Sequence, residues 1–513
     1  MSVAALRTWA PRVAFVLAGA LIAFGASDRE PLFNDEVINA SRTMTGFSNH
    51  SENVLDYSLR PAFRLLNQFW VALFGQSLAA LWLGAALVAI AMVVSLQRVG
   101  RDAGGPALAT IAPFWFLATP MSVWIGLSAM PHLPSALAAL LATMLIVAWQ
   151  RRPADAPNRD KRLVGAAFFC AAMALMTHPT QISLVLALGA ITAMLVVLAL
   201  ARDGWHLGAN SARTLGPVLI GYAVLAAVIG VVELAYRVGT VGATSTRLLP
   251  GATFSYLNHW IGNVLQIEGK VPKRYLHDGW FYVSLLVKGH PTFFFSSLAL
   301  LLVALVVFVR RRAWSRDAPL FIPALVVVLW IIVASTMRMS MPRVLVGITP
   351  VAIASNLFLL GYLLERIELA RVRGAIVAVA LAATSVAAVR VVAEDHREVA
   401  EPNRSRRRNV VAPYRLVAGL PPGPFAFVDA PGDNGSHIWC LYFAQASGHA
   451  VVRIAPEALS KRRGEYSYLC ASPKSRQRVE AWIAKDARAA KYQRVLDHSS
   501  IELWVPVPLQ ALR

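Results

Sequence analysis

Residues 31–75 read PLFNDEVINASRTMTGFSNHSENVLDYSLRPAFRLLNQFWVALFG and lie between the first two strongly apolar segments of the chain. An adjacent acidic pair, Asp35 and Glu36, follows the first apolar segment closely, and Arg60 opens a later run rich in aromatic residues. Charged side chains at a membrane surface are costly unless they are hydrated, paired or used. The acidic pair therefore has two interpretations: a solvated loop pair that begins a helix, or part of a functional site.

The composition is that of a membrane protein. Of the 513 residues, 57% are hydrophobic and 15% are charged, and the mean hydropathy is +0.54. Apolar segments long enough to cross a bilayer core of about 30 Å recur along the chain. The first lacks a small-residue cleavage site and is predicted to be an uncleaved span. We predict about eleven transmembrane helices, at residues 13–26, 77–96, 106–119, 133–149, 163–177, 181–200, 215–236, 291–309, 319–336, 344–364 and 374–392.

The net charge of +21 belongs mainly to loops between these segments and does not indicate a nucleic acid partner. Short basic loops alternate with longer loops that contain aromatics, acids and prolines, and the positive-inside rule places the basic set in the cytoplasm. An odd number of spans then puts the N-terminus inside and the C-terminal region outside. The outer loops include residues 27–76, 120–132, 237–290 and 337–343, so the unusual polar residues share one side.

Two outer loops carry cations that the positive-inside rule does not explain. Residues 253–268 are predicted to form a helix lying on the membrane, and a polar group follows it, namely Lys270, Lys273, Arg274, His277 and Asp278. Arg338 and Arg343 flank Pro342 before a span. These cations either extend to lipid head groups or bind phosphate, for which the guanidinium fork is suited.

The end of the chain is predicted to be a separate domain. Residues 1–392 form the transmembrane module, 393–412 a charged linker and 413–513 a small α/β domain. Predicted strands are FAFVDA, YSYLC, YQRVL and IELWVPV, and predicted helices are SHIWCLYFAQ and KSRQRVEAWIAKD. Turn chemistry explains Asp429, Asp433 and His437 more simply than a metal site does. Cys440 and Cys470 lie in this outer domain, where a disulfide is permitted.

The first stretch resembles the beginning of the GT-C superfamily of polyprenyl-phosphate-sugar-dependent glycosyltransferases. The most similar members are protein O-mannosyltransferase-like and aminoarabinose transferase-like enzymes. Their acidic residues after the first span match the pair quoted above, and their Lys-Pro or Pro-Pro and Leu-Phe-Gly elements resemble residues 60–61 and 73–75. A His-Pro-Trp-Tyr-Tyr-like element resembles residues 277–282, and an Arg-Tyr-Leu-Leu-Pro-like element resembles residues 343–350. The hydropathy layout extends the resemblance over essentially the whole chain.

The resemblance implies an all-α polytopic membrane fold with a small C-terminal extracytoplasmic α/β domain, in the bacterial inner (cytoplasmic) membrane. It implies transfer of a sugar from a polyprenyl-phosphate donor to an extracytoplasmic lipid, glycan or protein acceptor. Direct displacement by one base would invert the anomeric carbon. The expected partners are the polyprenyl-phosphate-linked sugar, membrane lipids and an acceptor of unknown identity. No particular cofactor is predicted, and a divalent cation is compatible with the chemistry.

The predicted site follows from that chemistry. A base must take a proton from the acceptor, and cations must hold the departing phosphate. Asp35 is the expected base, and Glu36 orients it or the acceptor. Arg60 and Arg343 are the expected phosphate-binding residues. The supporting candidates for the phosphate are Lys270, Lys273 and Arg274, and the candidate substrate contacts are His132, His277, Asp278 and Arg338.

One departure from the family pattern concerns the loop before the fourth span. Many relatives carry a second acid there, but this loop reads SAMPHLPSA and has none. A mechanism with a metal held between two acids is therefore in doubt. His132 either replaces the acid or is a buried structural histidine, and the same two interpretations apply to His178 in THPTQ.

Two other classes of protein remain as alternatives. A transporter or lipid flippase also has many spans, but it usually shows polar or broken spans near the membrane midplane and related halves. Neither feature is clear in this sequence. A non-catalytic scaffold is the other alternative, and the combination of acids and arginines on one side is the feature against it.

Overall fold

A computed structural model of the chain describes residues 3–27, 60–75, 78–128, 130–151, 157–239, 302, 306, 314–335, 342–400, 417, 420–421, 423–428, 449, 451–454, 467–471, 475–485, 492–497 and 502–506. The α-helices up to residue 400 are α1 (Val3–Ala26), α2 (Pro61–Phe74), α3 (Leu78–Leu117), α4 (Pro120–Gly126), α5 (His132–Gln150), α6 (Pro157–Thr177), α7 (Ile182–Arg202), α8 (Ala209–Gly239), α9 (Trp314–Ser335), α10 (Thr349–Arg366) and α11 (Ala370–Ala400). Two 3-10 helices cover Pro179–Gln181 and Pro342–Gly347.

The chain is a multi-pass membrane protein. Within the described residues, seven helical stretches are long and apolar enough to cross a membrane. Helices suit this environment because they satisfy their own backbone hydrogen bonds where no water is present. Every predicted span coincides with a described helix except residues 291–309, of which only 302 and 306 are described. The total of eleven spans therefore stays a prediction.

Helix α3 contains two of the predicted spans. A continuous helix of its 40 residues would be about 60 Å long, twice the thickness of a bilayer core. The helix breaks at Gly104 and Gly105, and Gly105 has φ of 71°, a backbone conformation that favours glycine. The break lies between predicted spans 77–96 and 106–119, as the sequence requires.

The membrane helices pack around one large apolar core. Helix α10 is buried on nearly all sides, and it contacts α3, α5 and α9. Helices α5 and α6 run side by side and pack closely, so the start of α5 lies near the end of α6. Among the largest fully buried side chains are Trp330 of α9 and Phe168 of α6. This packing decides which loops meet at each end of the bundle.

The C-terminal region contains a five-stranded sheet. Strand β1 (Phe425–Val428) pairs in parallel with β2 (Val451–Ile454) and β3 (Tyr468–Ala471). Antiparallel strands β5 (Glu502–Pro506) and β4 (Tyr492–Asp497) complete the order β2-β1-β3-β5-β4, and helix α12 (Arg476–Lys485) packs beside it.

Most of the predicted elements of this region are present. Strands β1, β3, β4 and β5 and helix α12 match the predictions, whereas β2 was not predicted. The predicted helix at residues 436–445 lies outside the described residues, as do Asp429, Asp433, His437 and Cys440. Cys470 is buried on β3 as a free thiol. Helix α11 continues to Ala400, past the predicted end of the last span at residue 392.

Candidate functional site

The structure brings together part of the predicted site. The predicted site residues that lie outside the described residues are Asp35, Glu36, Lys270, Lys273, Arg274, His277, Asp278 and Arg338. Arg60, His132 and Arg343 are described. The rings of His132 and His178 are in contact at one end of the helix bundle, and both arginines lie near enough for their charges to act on the two rings. We call these four residues the Arg-His cluster.

Two buried histidines form the centre of the cluster. His132 is the first residue of α5, and His178 lies between α6 and the 3-10 helix Pro179–Gln181. His132 follows Pro131, and His178 precedes Pro179. Proline is favoured at a helix start because the N–H that it lacks would have no partner within the helix there. The ring centroids are 4.4 Å apart, and the residues are 2% and 6% exposed. The close packing of α5 against α6 brings the rings into contact.

Thr180 fixes the tautomer of His178. The backbone N–H of Thr180 donates to His178 Nδ1 at 3.4 Å, and Thr180 Oγ1 lies 2.6 Å from the same atom. A backbone N–H can only donate, so Nδ1 is the acceptor. The neutral imidazole therefore carries its proton on Nε2. An N–H at Nε2 can act as a hydrogen-bond donor to a ligand.

Arg60 and Arg343 supply the charge of the cluster. Arg60 is the N-cap residue of α2, and Ala62, two residues later, packs against the cluster of Leu175 and Met176 near the end of α6. Arg343 lies on the 3-10 helix Pro342–Gly347. Both guanidinium groups are close enough for their charges to act on both imidazoles.

The protonation of His178 responds to this environment. Burial lowers the pKa of His178 well below its ordinary value, and His132, Arg60 and Arg343 lower it further. A neutral imidazole between two guanidinium groups can donate to an anion, and it avoids a third positive charge when the anion is absent.

Gln181 is a site residue that the sequence analysis did not single out. Its amide nitrogen donates to Gly347 O at 3.1 Å and approaches Ser135 Oγ at 3.4 Å. Its amide oxygen accepts from Trp330 Nε1 at 3.2 Å. The side chain is fully buried. The polar run THPTQ at the end of an apolar segment was the available signal, but the partners of Gln181 are distant in sequence.

An apolar cleft lies next to the cluster. It is a small, partly open cleft between α2, α3 and the start of α5. Its lining residues include Phe63, Leu66, Trp70, Leu81, Val88 and Leu133. Phe63 lies in the first turn of α2 after Arg60, and Leu133 follows His132. Residues that line the cleft are therefore close in sequence to Arg60 and His132 of the cluster.

The cluster is chemically suited to an anion. Two guanidinium groups and two imidazoles provide donors and positive charge, whereas a metal site needs several free carboxylate, imidazole or thiolate ligands. In the part of the chain that the structure describes, no group of three or more His, Cys, Asp and Glu residues could hold a metal.

Comparison with solved structures identifies the fold. ArnT from Cupriavidus metallidurans in the apo state matches with a TM-score of 0.61 and 14% identity. The same protein bound to undecaprenyl phosphate matches with a TM-score of 0.59 and 13% identity. Each match covers 96% of this chain and 97% of the other. The chain shares the fold of ArnT. The predicted GT-C-like membrane fold is thereby confirmed.

A further solved structure is less similar to this chain. The oligosaccharyltransferase of Archaeoglobus fulgidus, in complex with Zn and sulfate, matches with a TM-score of 0.47 and 11% identity, over 96% of this chain and 73% of that one. No protein-family model and no curated protein sequence matches the chain.

Proposed function

We propose that this protein is a membrane glycosyltransferase that moves a sugar from a polyprenyl-phosphate donor to an acceptor outside the cytoplasm. The observation that carries the proposal is the Arg-His cluster beside an apolar cleft at one end of the helix bundle. A prenyl phosphate has the same two parts, an anionic head and an apolar chain. The cluster matches the head in charge, and the cleft matches the chain in polarity.

The phosphate is assigned to Arg60 and Arg343. Guanidinium groups bind phosphate oxygens through two parallel N–H donors, which fixes the orientation of the leaving group. Transfer of the sugar increases the negative charge on the phosphate, so cations held at this position stabilise the transition state more than the ground state. Lys270, Lys273 and Arg274 are supporting candidates for the same role.

The prenyl chain is assigned to the apolar surface around the cleft between α2 and α3. An apolar surface beside the phosphate would keep water away from it, which would strengthen the electrostatic contacts there. The structure of ArnT, whose fold this chain shares, has been solved with undecaprenyl phosphate bound, and this supports a lipid of this class as the ligand.

Asp35 is assigned as the base that takes the proton from the acceptor. A carboxylate shortly after the first membrane helix reaches the membrane surface, where a lipid-borne sugar must react. Glu36 orients this base or the acceptor, and a single displacement inverts the anomeric carbon. The remaining candidate substrate contacts are His132, His277, Asp278 and Arg338.

The proposal includes an orientation in the bacterial inner membrane. Residues 1–392 form the catalytic module, with the N-terminus in the cytoplasm, and residues 413–513 form an outer domain after a charged linker at 393–412. A transporter is not favoured, because the buried histidines and the two arginines meet at one end of the bundle rather than along a path through its middle.

A turnover assay on the purified full-length protein tests the proposal. The substrates are radiolabelled sugars on polyprenyl phosphate, offered with membrane extracts as a source of acceptor. We expect label to leave the lipid in proportion to enzyme and free prenyl phosphate to accumulate. If no prenyl-phosphate sugar binds or reacts, although the protein is monodisperse, the proposed function is wrong.

A further inference from the structure

Gln181 connects three separate parts of the helix bundle next to the Arg-His cluster. It ends the 3-10 helix Pro179–Gln181 and is the N-cap residue of α7, but its side chain makes no capping hydrogen bond to α7. The amide instead extends to α5, to α9 and to the 3-10 helix Pro342–Gly347. Its partners are separated from it by 46, 149 and 166 positions in the sequence.

The orientation of the amide follows from its partners. The Trp330 indole N–H can only donate, so it faces the amide oxygen, and the Gly347 carbonyl can only accept, so it faces the amide nitrogen. Both ends of the amide are thus satisfied within a fully buried site. Loss of a buried partner costs about 1–3 kcal/mol, so the connected elements are strongly held in one relative position.

Two of these side-chain contacts, and the backbone of Gln181, lead to segments that carry a residue of the cluster. The backbone N–H of Gln181 donates to the carbonyl of His178 at 3.0 Å. Ser135, which Gln181 contacts, donates through its hydroxyl to the carbonyl of His132 at 2.8 Å. Gly347 ends the 3-10 helix that carries Arg343. The side chain therefore contacts the segments that carry His132 and Arg343, and its own backbone is bonded to that of His178.

The contact with Gln181 leaves no space for a side chain at Gly347. A Cβ added at this position would lie 2.5 Å from Gln181 Nε2, which is closer than real Cβ atoms approach other atoms. The amide nitrogen occupies the space that a side chain would take. A methyl group here should displace either the glutamine or the helix that carries Arg343.

We propose that Gln181 is a positioning residue for the phosphate: it sets the distance between the histidine pair and the Arg343 guanidinium. The inference rests on the proposed function, because the ligand that the cluster is positioned for is the phosphate of a prenyl lipid. A side chain that acted only in folding would affect stability without changing the affinity of the folded protein for this ligand.

The test measures the Kd of the full-length protein in nanodiscs for a short-chain polyprenyl phosphate, together with the Tm. Gln181→Met keeps the length of the side chain but removes its hydrogen bonds. Gly347→Ala displaces the amide from the other side. We expect binding at least about 10-fold weaker in both, equivalent to about 1.4 kcal/mol. Trp330→Phe removes one bond and should have a smaller effect.

Thr192→Val is the matched control. Thr192 is fully buried on α7, and its hydroxyl donates to the carbonyl of Leu188 at 2.9 Å, away from the cluster. This variant should lose stability without losing affinity. Inorganic phosphate should compete with the lipid less effectively in Gln181→Met than in the wild type, because the headgroup site is the part that is altered.

The outcomes separate the two proposals. Wild-type affinity in folded Gln181→Met and Gly347→Ala, with or without a lower Tm, would overturn the positioning role and leave the proposed function intact. Failure of the wild type itself to bind prenyl phosphate would overturn the proposed function, and the positioning role with it. If Gln181→Met does not fold, Gly347→Ala and Trp330→Phe decide the question.

Discussion

Replacement of Arg343 provides a quantitative test of the phosphate site. Arg343→Ala removes one of the two guanidinium charges that act on the histidine pair. A hydrogen bond to a charged group contributes about 1.5–3 kcal/mol, which corresponds to about 10-fold to 150-fold in affinity. We expect a loss of that size in the Kd for prenyl phosphate. Arg343→Lys should recover only part of it, because lysine keeps the charge but not the fork.

The loss of affinity should also depend on pH. In the wild type, burial lowers the pKa of His178 most, and the charge of Arg343 contributes to the shift. Removal of Arg343 lets the pKa rise towards its ordinary value, so His178 takes up a proton more readily as the pH falls. The gained positive charge partly replaces the lost one. The ratio of Kd between Arg343→Ala and wild type should therefore decrease as the pH falls below the ordinary pKa of histidine.

The assay is lipid binding to nanodisc-embedded protein at several pH values. Use of the ratio cancels the titration of the lipid phosphate, which is common to both proteins. Arg366→Ala is the control, because Arg366 stacks on Tyr362 at the opposite end of α10 from the cluster. Binding by Arg343→Ala within twofold of wild type at pH 7.5 would refute the assignment and direct attention to Lys270, Lys273 and Arg274. A ratio independent of pH would refute the coupling to His178.

Three further predictions concern other parts of the molecule. Asp35→Asn should lower turnover by about 10²–10⁴ at unchanged monodispersity, and Glu36→Gln should be milder; near-normal turnover of Asp35→Asn would remove it from the mechanism. A topology reporter fused after Arg310 should be cytoplasmic and one fused after Arg408 extracytoplasmic, and reporters on the same side would contradict the span count. Gly361→Ala should destabilise the protein by about 1–3 kcal/mol, measured as a lower Tm, because its Cβ would collide with a backbone carbonyl of α3; an unchanged Tm would show that α3 and α10 can separate without cost.

Much of the fold could be predicted because its signals are local. A membrane span requires a long apolar segment, so the segment at 133–149 predicts a helix close to the observed His132–Gln150. The strands at 425–428 and 468–471 are short apolar runs bounded by polar or turn residues, and they were found in the same way. Strand β2 was missed because VVRI follows a glycine-containing polar stretch with no clear alternation.

The site was harder to predict because it is assembled from distant parts of the chain. Arg60, His132 and Arg343 were each candidates from their position near a span end. Nothing in the sequence indicated that the ring of His178 contacts that of His132, or that both arginines act on the pair. Gln181 was not singled out at all, since a lone glutamine beside a proline turn has no distinctive pattern.

The sequence by itself determined that this chain crosses the membrane many times and ends in a small α/β region, because apolar length and periodicity are properties of single segments. Only the tertiary structure decided which segment ends meet. Helix packing depends on the shapes of two surfaces at once, as where Gly361 of α10 lies against Ala103 of α3. The same packing places the amide of Gln181 between Trp330 and Gly347, and it thereby joins two segments that the sequence keeps far apart.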